Sequence, residues 1–424
     1  MIHSLRLRGF KALADIELKF APITVLIGPN GTGKSSVLQF FSVLNQSWGN
    51  NTLQASGNYV NLGDFNDIAH NHDAERGIEF AIELTSGRSP LKAVQDVHAI
   101  EYRASVRSDG VSAHSLQFLP SPSDAPKIEW SSAKASNELF EWPIHPGFIA
   151  LMRLTSTLGN PVEIGGYRGQ PAESEQREVQ RFLSVPSRVS NYVVIPALRG
   201  FEATAYPLEN KASQNFFQTG TPAEQASRVL STIAYRRELE EEISRFSREV
   251  LQIDFRTRLI AGKNVAAEAI PVSSSGRRIL NNIVNEGFGV NQLMILLAQL
   301  VLVPSGSVVA IEEPEIHLHP LAQSDLSDVL LQVARESGKQ LIITSHSEHI
   351  LMGILRNVAQ GRLPPSDLCV YYFTREDGQT KVENLAVNDQ GRLKGGLKGF
   401  FEASIQEMDD FLGRSMSKVR RREP

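Results

Sequence analysis

Residues 28–35 constrain this chain more than any other stretch, because two glycines five residues apart are followed by Lys-Ser. This is the P-loop pattern, a turn that binds triphosphates through a concave row of backbone N–H groups. Gly31 and Gly33 can adopt the positive φ angles that such a turn requires. The apolar run 23–27 predicts a buried strand, and residues 35–44 predict the helix whose N-terminus faces the phosphates.

Two polar residues of this loop have an expected chemical role. The Lys34 ammonium is expected on the β- and γ-phosphates, and the Ser35 hydroxyl is expected on Mg²⁺. ATP and Mg²⁺ are therefore the predicted cofactors. The residues predicted to contact the nucleotide here are Gly28, Pro29, Asn30, Gly31, Thr32, Gly33, Lys34, Ser35 and Ser36.

The composition is that of an ordinary globular protein, with 41% hydrophobic and 21% charged residues. A chain of 424 residues exceeds one core, so two or three subdomains are expected. The net charge of −4 argues against a surface coated in basic groups for nucleic acid. The single cysteine, Cys369, lies in an apolar run and predicts a buried, unreactive thiol. We find neither a signal peptide nor a membrane-length apolar run, so a cytoplasmic location without membrane contact is expected.

Two acids follow an apolar stretch far along the chain. Residues 308–311 predict a buried strand, and Glu312 and Glu313 come directly after it. The carboxyl ends of parallel strands line the ligand crevice, and P-loop enzymes hold Mg²⁺ there with an acid. We assign Glu312 to Mg²⁺, through water, and Glu313 to activation of the attacking water. Two solvated acids at a strand end are the alternative, which the P-loop makes less favourable.

A histidine follows a second predicted buried strand, since His346 comes shortly after residues 340–344. Its imidazole is expected to bond the γ-phosphate or to position the water, although a lone histidine is more often structural. His317 and His319 lie in a proline-bounded turn without the spacing of a zinc-binding helix. We therefore expect no zinc site there.

The spacing of these motifs predicts the domain organisation. Lys34 and Glu312 are 278 positions apart, whereas a compact nucleotide kinase or GTPase would place them much closer. The ATP site must therefore be assembled from both ends of the chain, with the middle folded outward. The middle predicts one long amphipathic helix that starts after Thr221 and reaches Val250. The other predicted strands are 5–10, 16–20, 77–84, 98–106, 115–119, 368–374 and 381–387, and the other predicted helices are 293–303, 321–337 and 400–412.

These motifs resemble the ATP-binding-cassette (ABC) ATPases of the SMC, RecF and OLD type, and most of all stand-alone bacterial AAA-family ATPases of the OLD-like branch. The resemblance covers about half of the chain. It implies an α/β fold: an ABC-type head with a mixed sheet, an antiparallel β-extension, a helical middle and a small C-terminal α+β part. The matching stretches are residues 5–11, 28–35, 287–292, 311–320, 344–347 and 382–401. The implied domains are an N-terminal ATPase lobe (1–134), a mainly helical middle (135–276), a C-terminal ATPase lobe (277–365) and a small C-terminal domain with a basic tail (366–424).

In that family two ATP molecules lie between two heads, and the signature loop of one head contacts the γ-phosphate bound by the other. The resemblance implies that Gly287, Gly289, Asn291 and Gln292 form this loop. Asn291 stands where a serine is expected, which weakens the inference of ATP-driven pairing. Glu312 stands where most cassette ATPases have Asp, although Glu is familiar in the OLD-like branch. Gln54 is a candidate for the Q-loop.

The resemblance implies an ATPase that forms a homodimer or higher homo-oligomer through ATP. It would switch a separately encoded effector protein or a nucleic-acid complex, as the ATPase component of an anti-phage defence system. The alternatives are a RecF- or SMC-like genome-maintenance ATPase acting on DNA, and a slow-hydrolysing nucleotide-dependent scaffold. A transporter ATPase ranks lower, because transporter cassettes keep the signature and the acids close after the P-loop.

An OLD-type nuclease is a further alternative, because such chains carry a Toprim domain after the histidine loop. Here 78 residues follow His346, and they contain no Asp-x-Asp cluster. We therefore expect no intrinsic nuclease activity of that type. Binding of nucleic acid by this chain alone is expected to be weak, since it would rest on basic groups such as Arg420, Arg421 and Arg422.

Overall fold

A computed structural model describes residues 1–47, 52–85, 99–119, 128–131, 192–209, 221–272, 279–376 and 378–394. The strands are β1 (Ile2–Phe10), β2 (Leu13–Lys19), β3 (Ile23–Ile27), β4 (Ile78–Thr85), β5 (Ala99–Arg107), β6 (Gly110–Leu119), β7 (Ile128–Ser131), β8 (Tyr192–Ile195), β9 (Tyr206–Pro207), β10 (Ile253–Ile260), β11 (Asn264–Pro271), β12 (Asn281–Asn282), β13 (Val308–Glu312), β14 (Gln340–Ser345), β15 (Leu368–Glu376) and β16 (Gln379–Asn384). The helices are α1 (Lys34–Gln46), α2 (Phe65–Ile68), α3 (Pro222–Tyr235), α4 (Glu238–Leu251), α5 (Phe288–Leu302), α6 (Pro320–Ser337) and α7 (Glu348–Ala359).

The P-loop is carried by a six-stranded sheet with the order β16-β15-β3-β14-β13-β8. Strand β16 is antiparallel to β15, and the other neighbours are parallel. A parallel sheet covered on both faces needs continuous apolar strands, which explains the runs 23–27 and 308–311. Because β3, β14 and β13 are neighbours and parallel, their carboxyl ends meet at one edge. The predicted P-loop strand and its helix are confirmed, and the predicted acids and histidine lie at this edge.

Alternate residues of β3 contribute to two hydrophobic cores. Val25 and Ile27 pack in a core with α3 to α7, and Leu26 packs in a second core with α1 and the antiparallel sheet. In the second core, the Phe40 ring of α1 lies 5.4 Å from the Phe10 ring and 5.2 Å from the Phe80 ring. Helix α1 is therefore fixed between the two sheets, directly behind the P-loop.

The second sheet is antiparallel, with the order β2-β1-β4-β5-β6-β7. It confirms the predicted pairing of the first two strands and the predicted β-extension. Strand β6 begins at Gly110 rather than at residue 115, and strand β7 was not predicted.

The prediction of one long helix in the middle of the chain is wrong. Helix α3 ends at Tyr235 and α4 begins at Glu238, because Arg236 between them has a non-helical φ of −130° and ψ of 71°. Three glutamates in the first turn of α4 favour a new helix start there, since acids stabilise a helix N-terminus. The described part of residues 135–276 also contains strands β8 to β11, so it is not mainly helical throughout. The division into domains stays a prediction.

The C-terminal half follows the predicted order of elements with shifted ends. Helix α5 begins at Phe288, five residues before the predicted start, and α7 was not predicted. Cys369 is half-buried rather than buried, and this burial raises the pKa of its thiol. The predicted helix 400–412 lies outside the described residues. Within the described ranges, no helix has the length and apolar character needed to cross a bilayer.

Candidate nucleotide site

The backbone of the P-loop has the conformation that the glycines predict. Gly31 and Gly33 have φ angles of 76° and 95°, so the positive values expected from the sequence are confirmed. Gly28 has a φ of 142°, and a Cβ atom there would lie 2.1 Å from the Phe373 carbonyl oxygen of β15. This position therefore excludes every residue with a side chain. The loop leads directly into α1, whose first residue is Lys34.

The Lys34 side chain is folded back onto its own loop. Its Nζ donates hydrogen bonds of 2.7 Å to the carbonyl oxygens of both Gly28 and Pro29. Burial lowers the pKa of this ammonium, and the charges of Glu313 and Glu315 oppose that shift. The ammonium is thus desolvated and held by two neutral acceptors, which the more strongly accepting oxygens of a triphosphate can replace.

Glu312 and Ser35 meet across the crevice although they are far apart in the sequence. The Glu312 Oε2 atom accepts a hydrogen bond from the Ala197 N–H at 3.4 Å, and the Ser35 side chain lies beside the same carboxylate. Burial raises the pKa of Glu312. A hydroxyl and a carboxylate side by side suit Mg²⁺, which takes one or two carboxylates and completes its shell with phosphates and water. The two residues predicted for Mg²⁺ are therefore brought together.

Glu313 lies directly after β13 in an unusual backbone conformation, with a φ of 43°. Its N–H donates to the Thr344 carbonyl oxygen of β14 at 2.9 Å. Its Oε1 atom lies 3.6 Å from Nδ1 of His346, and both side chains are partly exposed. The carboxylate and the imidazole predicted for catalysis thus face the same crevice.

Glu315 is a functional candidate that sequence reasoning missed. It is 3% exposed, and its Oε1 atom accepts hydrogen bonds from the Ser345 hydroxyl at 2.7 Å and the His346 N–H at 3.0 Å. The same oxygen lies 3.9 Å from Nδ1 of His346. Glu315 therefore fixes the loop that carries the histidine. Sequence reasoning missed Glu315 because an acid in a proline-containing turn is expected to be exposed to solvent.

Arg199 is a second residue that was missed, and it lies behind both acids. It is 6% exposed, and its guanidinium donates to the carbonyl oxygens of Pro196, Glu312 and Glu313 at 2.8, 2.9 and 3.0 Å. Burial lowers the pKa of Arg199 to about 10, and the charges of three nearby glutamates oppose that shift. No motif marked this residue, because it belongs to the middle of the chain.

The predicted signature loop forms the start of α5, with Gly287 as its N-terminal cap. A Cβ atom on Gly289 would lie 2.5 Å from the His317 carbonyl oxygen, so this glycine permits close packing on the turn after the acids. Asn291 is 8% exposed, and both polar atoms of its amide bond the backbone of Phe201, at 2.6 and 2.9 Å. The Asn291 amide is thus engaged with its own chain, and its predicted contact with a nucleotide on another head stays a prediction. Gln292 is buried.

Three further side chains named in the sequence have local partners. The His317 ring lies 5.7 Å from the exposed Phe288 ring, and His319 caps α6 by accepting from the Leu321 N–H. The Gln54 side chain donates to the Thr52 carbonyl oxygen at 3.4 Å, and its Q-loop role stays a prediction.

The fold and the site together define a P-loop ATPase head of the ABC type. The chain belongs to the AAA ATPase domain family, which matches residues 1–275 and 207–351. It is 23% identical over 430 residues to the OLD nuclease of Thermus scotoductus, in a match that covers 96% of this chain and 70% of that protein.

A solved structure shares the fold: the SmcHead bound to the C-winged helix domain of ScpA. It matches with a TM-score of 0.50 and 15% identity, over 91% of this chain and 98% of that chain. The resemblance to SMC and OLD-type ATPases and the predicted fold class are therefore confirmed.

Proposed function

We propose that this chain binds ATP with Mg²⁺ and hydrolyses it slowly. The observation that carries the proposal is that Glu312, at the end of β13, lies beside Ser35 of the P-loop, so the two halves of the predicted site meet. The P-loop N–H groups would cradle the phosphates, and the Lys34 ammonium would leave its own loop to neutralise the γ-phosphate. Ser35 and Glu312 would hold Mg²⁺, which supplies charge neutralisation when it is bound.

In the same proposal Glu313 acts as the general base. Its carboxylate would accept the proton of the attacking water, and His346 beside it would orient that water or donate to the γ-phosphate. The left-handed backbone of Glu313 fits this role, because strained residues cluster at functional sites.

The P-loop assignment is tested by Lys34→Ala. We expect at least tenfold weaker binding of a fluorescent ATP analogue and loss of phosphate release, because the variant lacks the P-loop ammonium that would neutralise the phosphates. The control is Lys263→Ala, which removes an exposed lysine in the turn between β10 and β11. Wild-type hydrolysis by Lys34→Ala would contradict the assignment.

We further propose that ATP drives two heads into a dimer. The start of α5 presents a 74% exposed Phe288 beside the predicted signature glycines, which suits a surface that becomes covered. Glu313→Gln should bind ATP, barely turn it over and accumulate as a dimer with two nucleotides. Molar mass measured with and without ATP tests this, and a monomer under both conditions removes the dimer from the proposal.

The output of this cycle, in our proposal, passes through another polypeptide. The Smc head named above is bound to a ScpA domain. This supports the proposal that a partner protein docks on the head of this chain. A role in anti-phage defence, with a separately encoded effector, rests on the motif resemblance to the OLD-like branch. Affinity capture with Glu313→Gln in ATP, compared with Lys34→Ala, tests whether a partner binds the closed state.

A nuclease is the second candidate function, because the relative from Thermus scotoductus is an OLD nuclease. Across the described ranges, no group of three or more His, Cys, Asp or Glu residues is placed to hold a metal ion. We propose that cleavage of nucleic acid requires a partner. Plasmid DNA incubated with the pure chain, Mg²⁺ and ATP tests this: cleavage that Glu313→Gln abolishes would support the nuclease instead.

A further inference from the structure

Glu313 has a backbone conformation that its own side chain disfavours. Its φ of 43° lies in the left-handed region, which residues other than glycine enter only when neighbouring groups hold them there. Three hydrogen bonds hold it. Its N–H donates to the Thr344 carbonyl oxygen at 2.9 Å, and its own carbonyl oxygen accepts from Nη2 of Arg199 at 3.0 Å and, more weakly, from the Ile316 N–H at 3.3 Å. The peptide groups on both sides of the residue are thus fixed by other elements.

Arg199 does more than pair with one carbonyl group. Its Nη1 atom donates to the Glu312 carbonyl oxygen at 2.9 Å and to Pro196 at 2.8 Å. One planar guanidinium therefore spans the two consecutive carbonyl groups of the acids. A lysine ammonium is a single point charge without this fork and cannot reproduce the geometry.

The segment that carries Arg199 also contacts other parts of the site. It follows β8, which pairs in parallel with β13, so residues 196–201 run beside the acids. The Ala197 N–H donates to the Glu312 carboxylate at 3.4 Å. Phe201 exchanges two hydrogen bonds with the Asn291 amide in the first turn of α5. Residues 196–201 thus link the two acids to the start of α5.

We propose that Arg199 is a positioning residue that holds Glu313 in its left-handed conformation and so directs the Glu313 carboxylate at the attacking water. This inference rests on the proposed function, in which Glu313 is the general base. The Arg199 guanidinium donates to backbone carbonyl oxygens behind the acids, so we expect its loss to affect turnover rather than ATP binding.

The first test is Arg199→Lys in the full chain, which keeps the charge and removes the fork. We expect kcat to fall at least tenfold while KM and the affinity for a fluorescent ATP analogue change less than threefold. The matched control is Arg245→Lys, an exposed arginine paired with Glu336, which should leave kcat unchanged. In a protein that already carries Glu313→Gln, Arg199→Lys should lower kcat no further. A wild-type kcat, or losses that multiply in the double variant, overturns the proposal.

The second test does not depend on hydrolysis. Glycine adopts a φ of 43° without strain, so Glu313→Gly removes the need for a holding residue. We expect Arg199→Lys to lower Tm less in the Glu313→Gly background than in the wild type. Equal Tm shifts in the two backgrounds overturn the proposal. If the wild type does not hydrolyse ATP, the proposed function fails. The comparison of Tm shifts in the two backgrounds then decides by itself whether Arg199 holds Glu313.

Discussion

Replacing Glu315 with alanine removes the acceptor that fixes the histidine loop. The substitution leaves the Ser345 hydroxyl and the His346 N–H without their bonds to Oε1, which measure 2.7 and 3.0 Å. A buried donor left unpaired costs about 1–3 kcal/mol, so two donors would cost about 2–6 kcal/mol. Removing a buried carboxylate returns part of that cost, because its charge is no longer desolvated. We therefore expect a net loss of about 2 kcal/mol.

Urea unfolding of the purified chain measures this loss, and Glu315→Gln is the control. The glutamine keeps an oxygen acceptor of the same reach, so its free energy of unfolding should stay within about 1 kcal/mol of the wild type. The alanine variant should also hydrolyse ATP more slowly, because His346 is no longer held near Glu313. Equal stability of the wild type and Glu315→Ala, or equal losses in both variants, would refute this reasoning.

Three further perturbations have expected outcomes. Gly28→Ala should lower the free energy of unfolding by about 1–3 kcal/mol and weaken ATP binding at least tenfold, because its Cβ would overlap the Phe373 carbonyl oxygen; wild-type stability in urea contradicts this. Burial lowers the pKa of Lys339 from 10.5 to about 8, so the unfolded chain binds the proton more tightly and stability rises with pH across this window. The rise is about 1.5 kcal/mol between pH 8 and 9.5, and Lys339→Met should lose it; parallel pH profiles of the two proteins contradict this. Phe288→Glu should reduce ATP-dependent dimerisation without changing monomer affinity for ATP, and an unchanged dimer fraction by light scattering contradicts this.

The parts of the site that follow strand ends could be predicted from the sequence. An apolar run identifies a buried parallel strand, and polar residues directly after it must lie at the carboxyl edge. This is why Glu312 and His346, far apart in the chain, could be placed in one crevice with the P-loop that follows β3. The glycines of the P-loop were equally readable, because few residue types tolerate their φ angles.

Arg199 and Glu315 could not be predicted, because their partners are backbone groups or a hydroxyl far away in the sequence. Arg199 donates to carbonyl oxygens, and Glu315 accepts from the His346 N–H as well as from the Ser345 hydroxyl 30 positions away, so no local side-chain pattern reveals these pairings. Strand β8 was missed for a related reason, since four residues at the edge of a sheet carry a weak periodic signal. The break between α3 and α4 was missed because the apolar spacing of α4 could be read as continuing from α3.

The most direct measurement is the release of phosphate from ATP by the purified chain with Mg²⁺, compared with Glu313→Gln. We expect slow turnover by the wild type and at least a hundredfold lower rate for the variant, which should still bind ATP as tightly. An amide cannot accept the proton of water, so this substitution should lower turnover and leave ATP binding unchanged. Glu313→Gln that hydrolyses ATP at the wild-type rate, or a wild type that releases no phosphate, would contradict the assignment of this site as an ATPase centre.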